Sequence, residues 1–394
     1  MPEEPKLPTF SSALGQTQED ELKPAAAPPP LEEGIGLCLS GGGFRATLFH
    51  LGVLLRLNEL GLLRDRIACI SSVSGGSITA GYLGLKWKEL VWDENGMDPD
   101  FYGKVVDPVR RFCYQNVDVK AVVEGGLLPI RDASDVVIAA YRDHLFEGRT
   151  LQDLPDRPRF VINATNVQSG ALWRFTKHFM GDWRVGTIPQ PTVPMAVAVA
   201  ASSAFPPFLS PLEMKLNPAS FTPGSGHDLQ RPPFTEKVVL SDGGVYDNLG
   251  MEPVLKHHKT LLVSDAGQKI GDEEHSHGDW GQHTVRILGV VDNQVRSLRK
   301  RMLVGSFVAK ERTGAYWSIR GDIADYPAPK ALACPIVRTQ ALAAIATRLK
   351  RIETDDQERL INWGYALADA AIRTWIPDLR SASPPPRFIH PIGV

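Results

Sequence analysis

From about Gly34 onward, short continuous apolar runs alternate with stretches of helical spacing. Residues 35–39 and 67–71 read as strands buried on both faces, because their apolar positions are contiguous and do not alternate with polar ones. Between them, residues 44–60 carry apolar side chains three and four apart, and Gly61 is placed to stop that helix. Residues 75–86 read as a second helix. Residues 160–165 and 171–175 flank a turn-forming stretch, Asn166 to Gly170, and predict an antiparallel strand pair. Residues 238–240 and 260–263 supply further buried strands, each leaving on a polar step, Ser241-Asp242 and Ser264-Asp265. The alternation predicts an α/β fold with a mostly parallel central sheet and helices on both faces.

The remaining stretches set the expected domain organisation. Residues 1–33 are rich in Pro and lack apolar periodicity, which predicts a disordered tail. Residues 34–292 form the main α/β domain, with residues 99–154 largely helical and residues 204–236 a long surface loop. Residues 293–394 are expected to be a mainly helical extension packed on that domain. In it, Thr354 and Gln357 suggest a capping box for a helix running to about Trp375. The segment from Asp292 to Leu303 carries four cations beside apolar residues at helical spacing. Two readings are open: contact with anionic headgroups, or the favoured one, a docked helix with Val295, Leu298 and Met302 toward the core and its cations in solvent.

Composition narrows the function classes only a little. The 394 residues are 43% hydrophobic and 22% charged, an ordinary globular balance, and the formal net charge of -2 gives no pull toward nucleic acid. Cys38, Cys69, Cys113 and Cys334 are widely spaced with no C-x-x-C pair, which suits a reducing compartment. Neither a secretory signal pattern nor an uncharged run long enough to span a bilayer is evident, so the expected location is cytoplasmic, or peripheral at a membrane.

Candidate chemistry lies at three strand ends. Ser74, in Ser72-Val73-Ser74-Gly75-Gly76-Ser77, sits between an apolar strand and a helix, where a sharp corner exposes a hydroxyl and small neighbours leave room for it. Ser40-Gly41-Gly42-Gly43-Phe44-Arg45 joins another strand to a helix. Successive N–H groups of Gly41, Gly42 and Gly43 at a helix N-terminus would bind a developing oxyanion, with Arg45 bracing the loop. Asp242-Gly243-Gly244 places a carboxylate at a third strand end. None of the ten histidines is marked out as a base by its surroundings, so Asp242 is the expected general base and acid for Ser74.

These three blocks, in this order, resemble the patatin-like phospholipases. The resemblance covers about residues 34–256 and extends to Ala200-Ala201-Ser202-Ser203-Ala204-Phe205-Pro206-Pro207. It implies a patatin-like three-layer fold and a serine acyl hydrolase that cleaves fatty-acyl esters of glycerophospholipids. In it Ser74 is the nucleophile, Asp242 completes a dyad, and Gly41 to Gly43 line the oxyanion hole; Gly75, Gly76, Gly243 and Gly244 complete the elbow and Asp-Gly-Gly motifs. It requires no cofactor or metal, and a lipid substrate implies transient contact with a membrane surface, for which residues 205–209 and the basic segment are candidates. Two positions depart from the family pattern: Ser72 and Ala46 stand where glycine is common.

Rival readings are weighed on the same residues. Gly41-x-Gly43-x-x-Ala46 also satisfies a dinucleotide fingerprint, but the second strand ends in serines where an acidic ribose ligand is needed. Asp265 is a look-alike of Asp242, expected to be a loop carboxylate at the sheet edge. Residues 272–277 mix acids and histidines without a third metal ligand at fixed spacing. The functional alternatives are a nucleotide- or lipid-binding module that keeps the fold without turnover, and an acyl hydrolase acting on other esters or thioesters. No feature of the sequence reports oligomeric state.

Overall fold

The computed structural model describes residues 31–117, 133–206, 209–274, 278–379 and 384–394. Most of the expected tail, the histidines of residues 272–277 that stand at 275 and 277, and Pro207 and Phe208 lie outside the described residues. The longer elements, in chain order, are β1 (Glu32–Leu39), α1 (Gly43–Glu59), β2 (Ile67–Val73), α2 (Gly75–Lys86), α3 (Ala133–Tyr141), β3 (Arg159–Asn166), β4 (Ala171–Phe175), β5 (Phe179–Asp182) and β6 (Gly186–Pro189). They continue with α4 (Met195–Ser202), β7 (Leu212–Lys215), β8 (Lys237–Asp242), β9 (His258–Asp265), α5 (Trp280–Val308), β10 (Thr313–Ser318), α6 (Ile336–Ala344) and α7 (Thr354–Trp375).

The ten strands form one sheet. Its parallel centre runs β10-β9-β1-β2-β3, and antiparallel strands extend it from β3 onward. Alternate residues of a central strand enter different apolar layers: Leu37 and Leu39 pack with α1, α2 and α7, whereas Cys38 packs on the opposite face with Cys69, Val254 and Leu303. Burial of both faces explains why these strands read as continuous apolar runs.

The edge of β3 creates the site. Along that edge β2 pairs in parallel as far as Val73 opposite Asn163, and β8 then takes over antiparallel, with Asp242 opposite Ala164. Two strands far apart in sequence therefore meet head to head on consecutive residues of a third.

Several expectations are corrected. β1 begins at Glu32, two residues inside the expected tail. The stretch 204–236 contains β7, which pairs with β8 and so is an edge strand within the expected loop. The boundary at 292/293 falls inside α5, and β10 from beyond it pairs with β9, so the sheet itself crosses that boundary. Thr354 is the first residue of α7 and not its cap; the Gln357 side chain instead donates to the Ile352 carbonyl at 2.8 Å. On α5 the favoured reading is reversed in most positions: Val295 and Leu298 are exposed and Arg296, Arg299 and Lys300 turn inward to carboxylates, whereas Met302 is half-buried and Arg301 is in solvent as expected.

Candidate active site

Ser74 follows the last residue of β2 and precedes α2, with φ 52 and ψ -121. A β-strand cannot run straight into a helix without such a corner, and a non-glycine residue there stores strain that the surrounding structure must hold. The restraint is visible. The Ser74 N–H donates to Ser202 Oγ at 2.9 Å, and Ser77 Oγ lies 2.9 Å from the same oxygen. Gly75 is needed because a Cβ there would strike the Gly43 carbonyl, so the elbow lies directly on the glycine loop. Ser72, in place of glycine, keeps ordinary strand geometry; its hydroxyl donates to the Val161 carbonyl at 3.3 Å, so no positive φ is required of it.

Asp242 ends β8 and is buried. Its N–H donates to the Ala204 carbonyl at 2.9 Å, and the Gly243 N–H donates to the Ser202 carbonyl at 3.2 Å. The end of α4 thus ties down both the serine and the aspartate. The Asp242 carboxylate accepts from the Gly244 N–H at 2.6 Å, and the Ser74 hydroxyl is close enough to favour its anion. Burial pushes its pKa up to about 7, against the Gly244 N–H and the Ser74 hydroxyl; Asp292 on α5 adds like charge.

The glycine loop spans the gap between β1 and α1. Gly42 and Gly43 have φ of 151° and 60°, values that favour glycine. The Gly41 N–H donates to the Asn248 carbonyl at 3.1 Å; no acceptor faces the Gly42 and Gly43 N–H groups among the described residues. Those two amides, at the start of α1, are the donors available to an incoming oxygen. Arg45 is buried and braces the loop from behind, donating to the Ala266 carbonyl at 2.9 Å, to Thr347 Oγ1 at 3.1 Å and to the Ile345 carbonyl. The Arg348 carbonyl accepts from the Phe44 N–H at 3.0 Å, so the C-terminal extension also supports the loop.

Asn248 stands where the three segments meet, and sequence reasoning passed over it. A Cβ on Gly41 would lie 2.5 Å from Asn248 Oδ1 and 3.1 Å from Ser74 Cβ; one on Gly244 would lie 2.6 Å from Asn248 Oδ1 and 2.9 Å from Asp242 Oδ1. Its position six residues after Asp242, beyond a short helical turn, is the only signal the sequence offers. His50, also unmarked, is buried and supports the strand before the loop. Its Nε2 lies 3.0 Å from the Ser40 carbonyl and its Nδ1 3.0 Å from Ser264 Oγ, and burial lowers its pKa to about 4. A neutral ring with both nitrogens engaged is not available to Ser74 as a base.

Asp265 differs from Asp242 in its neighbours. It is buried, opposed by burial but held below the usual carboxylate range by Lys300 and Arg296, and it accepts from Tyr316 Oη at 2.8 Å. Among the described residues no group of three or more histidines, cysteines or acids is arranged to hold a metal. A cavity of about 290 Å³ lined by Cys69, Arg159, Phe160 and Arg174 lies toward the opposite ends of the strands and is separate from Ser74.

The site is thus a serine on a strained strand-to-helix corner of an α/β protein, set beside a buried carboxylate and laid against a glycine loop. The patatin-like phospholipase family model matches residues 37–255, more than half of the chain, and the chain belongs to that family of lipid acyl hydrolases. In sequence, no protein of curated function matches it. Among solved structures it is similar to human GIVD cytosolic phospholipase A2, at 13% identity and a TM-score of 0.47, covering 92% of this chain and 60% of that one. It is also similar to VipD from Legionella pneumophila, at 14% identity and a TM-score of 0.31, covering 87% of this chain and 67% of that one. The chain thus spans about 60% of the length of the human enzyme.

Proposed function

We propose that this protein hydrolyses fatty-acyl esters of glycerophospholipids through an acyl-Ser74 intermediate, with Asp242 as general base and then general acid. The observation that carries the reading is the meeting of β2 and β8 on consecutive residues of β3, which sets Ser74 beside a buried carboxylate whose pKa is raised to about 7. Proton transfer is most effective when the base titrates near working pH, and an ordinary surface aspartate is too weak for a serine.

In the first half-reaction, Asp242 takes the hydroxyl proton as Ser74 Oγ attacks the ester carbonyl. The oxygen that becomes negative is met by the Gly42 and Gly43 amides at the start of α1, whose dipole favours negative charge. Asp242 then delivers its proton to the departing lysolipid alcohol. In the second half-reaction water repeats the sequence, with Asp242 again accepting and returning the proton, and the fatty acid leaves. Burial at the carboxylate means that no solvent reorganisation accompanies each transfer.

The test is a hydrolysis panel over phospholipids, lysophospholipids, triacylglycerols, thioesters and short nitrophenyl esters, run on wild type, Ser74→Ala and Asp242→Asn. Phospholipid turnover by wild type, with loss of at least about three orders of magnitude in either variant, is expected. Turnover retained in both variants removes the dyad, and preference for thioesters or neutral lipids removes the substrate class.

A further inference from the structure

The 29-residue helix α5 turns three of its cations inward and a row of apolar residues outward. Arg296 is buried, its Nη1 donating to the Gln268 carbonyl at 2.5 Å, with guanidinium nitrogens 3.9 Å from Asp265 and 3.6 Å from Asp292. Arg299 lies 3.1 Å from Glu252 and Lys300 2.5 Å from Asp265, while Leu303 and Phe307 pack on the apolar layer beneath. At 100° per residue the opposite side carries Trp280, Ile287, Val291 and Leu298, with Leu288 and Val295 beside them. These side chains are in water: Trp280 is 84% exposed, Leu288 62%, Val291 53% and Leu298 51%. From Trp280 to Leu298 the ridge is about 27 Å long. Contiguous exposed apolar surface of this extent costs stability in a monomer unless something covers it.

We propose that this outward ridge of α5 docks the protein, lying in plane, on a zwitterionic lipid surface. The inference rests on the acyl-hydrolase reading and specifies the physical form in which the substrate is met. Charge selects the occupant. Arg296, Arg299 and Lys300 are spent on Asp265, Asp292 and Glu252, which leaves Arg301, past the end of the ridge, as an exposed cation; the ridge itself carries no charge. A second copy pairing helix to helix would set its register through charges flanking the seam, and here Val290, Gln294 and Ser297 supply none on one flank before Arg301, beyond Leu298. An exposed tryptophan at the end of the ridge has the amphipathic ring that settles at the headgroup level. Among the described residues no helix is long and apolar enough to cross a membrane, so the ridge fits lying on one.

The test is co-sedimentation of the full chain with phosphatidylcholine vesicles, comparing wild type with the double variant Ile287→Glu, Val291→Glu. Wild type is expected to bind, with little change on raising salt. The variant should bind at least about tenfold more weakly, since two charges enter a ridge that otherwise meets acyl chains. Its hydrolysis of vesicular phosphatidylcholine should fall in parallel, while its thermal midpoint and its hydrolysis of soluble nitrophenyl butyrate stay at wild-type values. Independently, the blue shift of wild-type tryptophan fluorescence on adding vesicles should be lost in Trp280→Phe. Equal binding by the double variant, absence of wild-type binding, or a wild-type dimer that the double variant dissociates would each overturn the proposal. Ridge-dependent vesicle binding in a protein that hydrolyses neither substrate supports the docking surface and instead removes the acyl-hydrolase reading.

Discussion

At Asp242 a single buried carboxylate couples turnover to stability. Because burial holds its folded-state pKa at about 7, the proposed base is half-protonated near neutrality, and kcat/KM should rise through pH 7 to a plateau in alkaline solution. Initial rates on a soluble ester across pH 5 to about 9 check this; a flat profile contradicts it. The same shift acts oppositely on folding. An unfolded aspartate titrates near about 3.9, so between there and about 7 the native state holds a proton that the unfolded state has released. The stability this group contributes is complete below the lower value and is lost as pH rises through the upper one, at a cost on the order of 4 kcal/mol above it. Asp242→Asn should therefore unfold at a higher temperature than wild type at pH 8 while losing turnover; a lower melting point at pH 8 contradicts the burial argument. Gly41→Ala is a steric counterpart, since its Cβ would enter the space of Asn248 Oδ1 and Ser74 Cβ. It should keep the fold, judged by circular dichroism, and lose about two orders of magnitude in turnover. Ser74, Asp242 and the glycines were readable as a candidate site, and the structure brings them together, because chemistry and strain restrict the residue types allowed there. Asn248 and Ser202 were not, since an amide or hydroxyl that acts through position alone has no compositional signature.

Element by element, legibility followed burial. β1, β2, β3 and β9 are central, carry apolar residues on both faces and announce themselves as runs. β7 and β10 are short edge strands with mixed sequences, and each exists because a neighbouring strand offers a free edge. α5 misled for a related reason: its period is helical whichever side faces inward, and acids supplied by distant strand and loop ends, Asp265, Asp247 and Glu252, decide that Arg296, Arg299 and Lys300 turn in. α7 shows how tightly the extension is joined. It crosses α1 so closely that a Cβ on Gly364 would strike the Phe49 carbonyl. Arg56 of α1 donates to Asp369 of α7 at 2.9 and 2.7 Å, and Arg373 shares the same carboxylate at 2.5 Å. Arg56 and Asp369 are buried and Arg373 is nearly so, and Asp369→Ala leaves Arg373 without its carboxylate and Arg56 with Glu59 alone, which should cost about 3 kcal/mol. Chemical denaturation measures it, and a loss below about 1 kcal/mol would show the network to be dispensable.

Across the whole molecule, the arrangement depends on one strand sharing its edge. β3 receives β2 from one direction and β8 from the other, and the meeting point delivers the strained serine, the buried acid and the glycine loop to one place. The extension takes part in this, because Arg348 and Ile345 hold the loop through Phe44 and Arg45. Cutting the chain after residue 330 should for that reason abolish turnover along with α1 packing, which limited proteolysis followed by assay would show. The most direct test of the central claim is the site of reaction with a fluorophosphonate, read by peptide mass mapping. One adduct is expected, on the peptide bearing Ser74, absent in Ser74→Ala and formed far more slowly in Asp242→Asn. An adduct on any other residue, or wild-type labelling rates in Asp242→Asn, would contradict it.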